Sequence, residues 1–158
     1  MELNDIAISF YDDNSPLCNA TVLRKATRRV SQIYDDELRA CGLKTTQRSI
    51  LRHVDQLKGP TATQLAEVLV LDKTALSHNL KPLIRDGYLV QKASEGDKRI
   101  KQILLTDTGR EKLLESHKIW VELQNRFESA LSKEQHQTLL ELLALVVSDN
   151  FNDQLRSK

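Results

Sequence analysis

A chain of 158 residues, 40% hydrophobic and 28% charged, has the length for one compact domain with an associated oligomerising part and is too short for two large domains. No apolar run approaches the ~20 residues that span a bilayer, and the acidic start Met1-Glu2-Leu3-Asn4-Asp5 lacks the positive region of a secretory signal, so a cytoplasmic chain without membrane contact is expected. The net charge of +1 hides a partition: residues 43–110 carry +5 between flanks of −2 each, a distribution that suits displacement of counterions from phosphate.

Residues 1–14 show no sustained period and read as an arm. Ser15-Pro16 has the residue types of an N-cap and a first helical position. From there Val22, Leu23, Ala26, Val30, Ile33, Tyr34, Leu38 and Cys41 recur at three- and four-residue steps, predicting a first helix of roughly seven turns that Gly42 stops. Thr45 or Thr46 is expected to cap a second helix, whose buried stripe is Ile50, Leu51, Val54 and Leu57, ending at Lys58-Gly59-Pro60. Thr61 and Gln64 have capping-box spacing and open a short third helix with Leu65, Ala66 and Leu69 on one face.

Asp72 caps the fourth helix. Leu76, Leu80, Leu83 and Ile84 line one side of it, while Thr74, His78, Lys81 and Arg85 fall on the other at 100° per residue; Gly87 supplies the stop. The period then changes. Tyr88 to Ala93 and Ile100 to Leu105 are β-prone runs joined by Ser94-Glu95-Gly96-Asp97-Lys98-Arg99, which predicts a hairpin. Thr106-Asp107 caps a long fifth helix carrying Leu113, Leu114, Trp120, Leu123 and Phe127, and Ser132 with Gln135 opens a sixth. In the sixth, Leu139, Leu140, Leu142, Leu143, Leu145, Val146 and Val147 cover more than one face, and a partner subunit is the economical cover for them.

Three short-to-medium helices, a tight turn between the last two, and a basic-tipped hairpin form the winged helix-turn-helix order. The expected class is therefore mainly α with a small β-hairpin wing, flanked by N- and C-terminal dimerisation helices. Its parts are residues 1–42 (arm and dimerisation helix), 43–110 (DNA-binding lobe) and 111–158 (dimerisation helices). In such a lobe the fourth helix lies in the major groove with its N-terminal residues nearest the base edges, which selects Lys73, Thr74, Ser77 and His78. Asn79 and Lys81 sit at the edge of that surface, where phosphate contact is equally available. Thr45, Thr61 and Thr63 stand at helix N-termini, whose amides suit phosphate. At the hairpin tip, Arg99 with Lys98 is placed for a narrow minor groove, oriented by Asp97; a solvated turn with a surface ion pair is the plainer reading of that trio alone.

The chain resembles the MarR family, the multiple-antibiotic-resistance regulators, from about Cys18 to Leu143. The resemblance is carried by Gly42-Leu43, Thr46-Gln47, Ile50-Leu51, Thr63-Gln64-Leu65-Ala66, Leu71-Asp72 leading into Leu76, Leu83-Ile84-Arg85-Asp86-Gly87-Tyr88-Leu89, Asp97-Lys98-Arg99 and Leu105-Thr106-Asp107-Thr108-Gly109. It implies a triangular homodimer in which the first, fifth and sixth helices interlock, a pseudo-palindromic double-stranded DNA operator, and repression relieved by a small ligand or by oxidation. Pro82 departs from a regular recognition helix, since it removes one amide hydrogen bond and favours a bend near the C-terminal half.

Two switches are compatible with these residues. Cys18, at about the third position of helix one, meets a helix dipole that favours thiolate. The organic hydroperoxide regulators among the family's members keep a reactive cysteine near this end, about two residues away; a small buried hydrophobe is the plainer role. The other switch is a crevice for a small, aromatic effector lined by Arg24, Arg28, Tyr34, His53, Trp120 and Gln124, of which Tyr34 and Trp120 also suit a core. Cys18 and Cys41 are too few and too separated for a disulfide scaffold, and His117 and His136 have no metal spacing with them, so no metal and no cofactor are expected. An enzyme such as a thiol peroxidase lacks an identifiable base and any glycine-rich phosphate loop, which favours a non-enzyme. A winged helix used for protein contact is the third class.

Overall fold

The computed structural model describes residues 18–94 and 96–157. It is mainly helical with one two-stranded antiparallel sheet, in the order α1 (Asn19–Leu38), a 3-10 turn (Arg39–Cys41), α2 (Thr45–Leu57), α3 (Ala62–Leu69), α4 (Lys73–Arg85), β1 (Leu89–Ala93), β2 (Lys101–Leu105), α5 (Asp107–Ser129), α6 (Lys133–Val147) and α7 (Asp149–Arg156). Two compact units divide between His117 and Lys118.

The expected start at Ser15-Pro16 lies outside the described residues. Cys18 precedes the first turn of α1 instead of standing third in it: its backbone is extended (φ −75°, ψ 105°), and its carbonyl accepts the Val22 amide at 3.1 Å, the first bond of the helix. Leu38 alone in α1 is buried. The helix tightens through Arg39–Cys41, then Gly42 at φ 73° lets the Leu43 amide return to the Leu38 carbonyl.

Neither Thr45 nor Thr46 caps α2. Lys44 holds the cap position, its amide donating to Gln47 Oε1 at 2.9 Å, and the Thr45 amide donates to Asp35 Oδ1 of α1 at 2.7 Å. A carboxylate from a neighbouring helix thus supplies the acceptor that a local hydroxyl was expected to give. Ile50, Leu51 and Val54 are buried as expected, but Leu57 is 44% exposed: where the chain reverses at Lys58 it lines an open cleft with Pro60, Val68 and Gln102. Thr61 and Gln64 close the capping box of α3 from both sides. Asp72 Oδ1 accepts the Ala75 amide at 2.7 Å to start α4, which buries Leu76, Leu80 and Leu83 and runs through Pro82 to Arg85.

The hairpin pairs Leu89 with Leu105 through Ala93 with Lys101. Each strand begins one residue later than the apolar runs, because the Tyr88 amide is used by the Leu83 carbonyl at the end of α4 and the Ile100 amide by the Asp97 carbonyl in the turn. Ile103 donates to the Pro60 carbonyl, and Thr61 bridges to Gln102, so the sheet is fastened to the turn between α2 and α3. Thr106 caps α5, its hydroxyl accepting the Gly109 amide at 2.9 Å and reaching the Gly87 carbonyl at 2.6 Å. Along α5, Leu113 is buried while Leu114, one step of 100° further round, is 63% exposed.

In the second unit, Ser132 caps α6 through Gln135 as expected, and no residue of α6 is buried. Its Leu140, Leu142, Leu143, Leu145 and Val147 all stand exposed. The helix α7, capped by Ser148, lies beyond the elements the apolar pattern marks.

Candidate nucleic-acid interface

The exposed side of α4 follows from its buried side: with Leu76, Leu80 and Leu83 packed inward, Lys73, Thr74, Ser77, His78 and Lys81 remain on the surface. The Asp72 cap fixes where this face begins. One cleft of about 300 Å³ gathers Thr63 of α3, Lys73, Ser77 and Lys81 of α4, and Gln91 of β1 over a floor of Ala62, Leu76 and Leu80. Two ammonium groups, two hydroxyls and an amide therefore share a single concave surface at the start of α4, where helix amides add positive potential. Sequence reasoning missed Gln91, a polar strand residue whose neighbours appear only when β1 packs beside α4.

Asn79 lies off this face, on the side of α4 that carries buried Leu76 and Leu83; it is half-buried, and its Nδ2 donates to the Ala75 carbonyl at 2.8 Å. Thr61 spends its hydroxyl on Gln64. Thr45 is less available still: its amide already faces the Asp35 carboxylate, and its hydroxyl oxygen is buried. Each of the three has a polar group engaged within the fold. At the hairpin tip Asp97, Lys98 and Arg99 are exposed, with Glu95 outside the described residues. Asp97 Oδ1 accepts the Arg99 amide at 2.9 Å, so the carboxylate orders the backbone beneath Arg99, where orientation of the guanidinium was expected.

The candidate sensing residues stand on α1 (Arg24, Arg28, Tyr34), α2 (His53) and α5 (Trp120, Gln124). Arg24 and Arg28 are exposed, and Arg28 Nε donates to the Arg24 carbonyl at 3.3 Å. His53 Nδ1 lies 2.8 Å from the Ser49 carbonyl on its own helix. Tyr34 and Trp120 are half-buried, and Gln124 donates to Glu128 at 3.3 Å. Cys18 is exposed, and the hydroxyl and amide of Thr21 hold its thiol below the usual thiol range. Cys41 is buried, its thiol directed at the Leu38 carbonyl.

The MarR family's sequence profile matches residues 42–100. The HTH-type transcriptional regulator SarZ of Staphylococcus epidermidis is 28% identical over 127 residues, covering 80% of this chain and 84% of SarZ. Among solved structures, the Mycobacterium tuberculosis transcriptional regulator MosR in complex with DNA is similar with a TM-score of 0.76 at 28% identity, over 88% of this chain and 98% of MosR. The transcriptional repressor CouR, solved on a 23-mer DNA duplex, shares the fold with a TM-score of 0.77 at 22% identity, over 94% of this chain and 99% of that one.

Proposed function

We propose that this chain is a MarR-family winged-helix DNA-binding transcription regulator, and that it acts in the cytoplasm as a homodimeric repressor. It grips a near-palindromic duplex with α4 in the major groove and the β1–β2 hairpin against the adjacent minor groove. The observation that carries this reading is the cleft along α4, which gathers Thr63, Lys73, Ser77 and Lys81 over an apolar floor, with Thr74 and His78 exposed beside it. Lysines and hydroxyls there suit phosphates and base edges, and Lys98 with Arg99 extends the positive surface along the wing. MosR, similar over most of both chains, was solved bound to DNA.

The parts proposed are residues 1–42 and 111–158 for dimerisation and 43–110 for the DNA-binding lobe. Dimerisation is supported by apolar residues that one chain leaves uncovered: Leu23 and Ile33 on α1, and Leu140, Leu142, Leu143, Leu145 and Val147 on α6. The test is selection of duplexes from a random pool, then titration across a salt series. Binding should weaken steeply with salt, and the selected sequence should contain two inverted half-sites centred about one helical turn, ~34 Å, apart. Flat, weak binding overturns the proposal and favours a protein-binding or catalytic role.

Release by a thiol switch at Cys18 has a specific observation behind it, an exposed sulfur with a lowered pKa. A small aromatic effector is the other release mode proposed, although His53, Arg28 and Gln124 are each engaged along their own helix. Peroxide and aromatic acids, applied separately to the DNA complex of the wild type and of Cys18→Ser, distinguish the two. Peroxide release that persists in Cys18→Ser removes the thiol.

A further inference from the structure

Resting on the DNA-binding reading, we propose that Lys112 is a positioning residue for DNA recognition, a strut that ties the end of α1 to the end of the recognition helix α4. Its Nζ donates to the Cys41 carbonyl at 3.1 Å and to Glu115 Oε2 at 2.7 Å, and it stands 5.8 Å from the centre of the Tyr88 ring. An ammonium group has three donors, and three partners surround this one. The side chain is only 20% exposed, unlike the ordinary solvated lysines of a helix surface.

Each partner belongs to a different part of the lobe. Cys41 closes the 3-10 turn at the end of α1, where chain reversal at Gly42 leaves carbonyls at the negative end of the helix and a cation is favourable. Glu115 lies one turn ahead on α5 and keeps the ammonium charged. Tyr88 is the third residue beyond α4: its amide donates to the Leu83 carbonyl, closing that helix, and its carbonyl accepts the Thr106 amide at the start of α5. One ammonium group therefore touches the terminus of α1 and the ring that follows α4.

The lever is long. The 13 residues of α4 span ~20 Å, so a tilt of about 3° at the Tyr88 end displaces Lys73 and Thr74 by ~1 Å, enough to break hydrogen bonds to base edges.

The test uses the full chain and the duplexes selected above, titrated by fluorescence anisotropy across a salt series, with melting curves alongside. Lys112→Met, which keeps the stem and removes the charge, should bind about five- to tenfold more weakly at every salt concentration with an unchanged salt slope, while most of the protein stays folded at the assay temperature. Lys112→Arg should restore affinity. Unchanged affinity in Lys112→Met overturns the inference, and so does a salt slope lower by about one, which marks a direct phosphate contact. Loss of affinity that only follows loss of folded protein overturns it too. If Lys112→Met does not fold, Tyr88→Leu removes the ring and leaves the Lys112–Cys41 bond: weakened binding at constant slope supports the strut, and wild-type binding refutes it. A wild-type chain without salt-dependent duplex binding overturns the DNA-binding reading itself, before any variant is compared.

Discussion

Substituting Gly109 by alanine tests the junction that holds the wing, the recognition helix and α5 together. A Cβ at this position would lie 2.0 Å from the Tyr88 carbonyl oxygen and 2.8 Å from its carbon, with backbone as the obstacle on both counts. Relief to an ordinary contact of ~3.2 Å requires α5 and Tyr88 to part by over ~1 Å. The Thr106 amide and hydroxyl reach that same carbonyl at 3.1 and 3.2 Å, so the displacement also breaks them. Overpacking costs ~1–3 kcal/mol and the two hydrogen bonds ~0.5–1.5 each, against ~1 regained from alanine's helix propensity, for a net loss of about 1–5 kcal/mol, centred near ~3. Gly96, with open space around it and no positive φ, should accept alanine within about 0.5 kcal/mol. Gly42 is also open but sits at φ 73°, where alanine costs ~1 kcal/mol. Urea denaturation followed by circular dichroism, at one fixed protein concentration, should rank the losses Gly109, Gly42, Gly96. A Gly109→Ala variant as stable as the Gly96 one refutes the close approach of α5 to Tyr88.

Arg99→Ala should weaken DNA binding by about 1–3 kcal/mol and lower the salt slope by about one without dissociating the proposed dimer; unchanged affinity removes the hairpin from the interface. Asp72→Ala deletes the acceptor of the Ala75 amide and should cost about 1 kcal/mol of stability in denaturant titration, whereas Asp72→Asn should cost only a few tenths. For Cys18 the sign follows from the direction of the shift: a lowered pKa means more thiolate near neutral pH, so iodoacetamide should modify Cys18 well before buried Cys41. Thr21→Val removes the hydroxyl donor and should shift the pH midpoint of that alkylation upward; an unchanged midpoint would refute Thr21 as the cause.

How much of this was legible depended on whether a signal was local. The capping boxes at Thr61 and Ser132, the Asp72 cap and the change to strand periodicity after Gly87 are all written within a few residues, and the structure forms each of them. The cap of α2 was illegible because its anion, Asp35, comes from ten residues upstream on another helix. Leu57 fits the periodicity of a buried stripe, yet periodicity gives only direction, and the chain reversal at Lys58 leaves that direction uncovered. Lys112 stands among Arg110, Glu111 and Glu115 and reads as part of a solvated charged turn. Only the fold brings Cys41 and Tyr88 to it. Candidate site residues follow the local rule as well: exposure of Lys73, Ser77 and Lys81 comes from 100° geometry, and the same geometry sets Asn79 beside buried Leu76 and Leu83, where its side chain meets the Ala75 carbonyl.

The contrast between the two kinds of helix carries a consequence for regulation. The winged-helix segments are fastened to one another by backbone groups: Gly87 and Tyr88 each bond to the end of α4 through the amide and to Thr106, the cap of α5, through the carbonyl. The helix α1, by comparison, contributes one buried residue, Leu38, and α6 contributes none. Apolar side chains left in water favour whatever partner covers them, so the proposed dimer contacts are where a modest change in free energy can redistribute states. Cys18 caps the start of α1, and Cys41, whose carbonyl Lys112 holds, closes the 3-10 turn that follows the other end. The helix α1 and the 3-10 turn are the covalent path between them, so the Lys112 bond is where a displacement of α1 meets the rest of the fold. If Lys112 is the strut we infer, Lys112→Met should therefore blunt peroxide release from DNA even though the thiol still reacts at its wild-type rate.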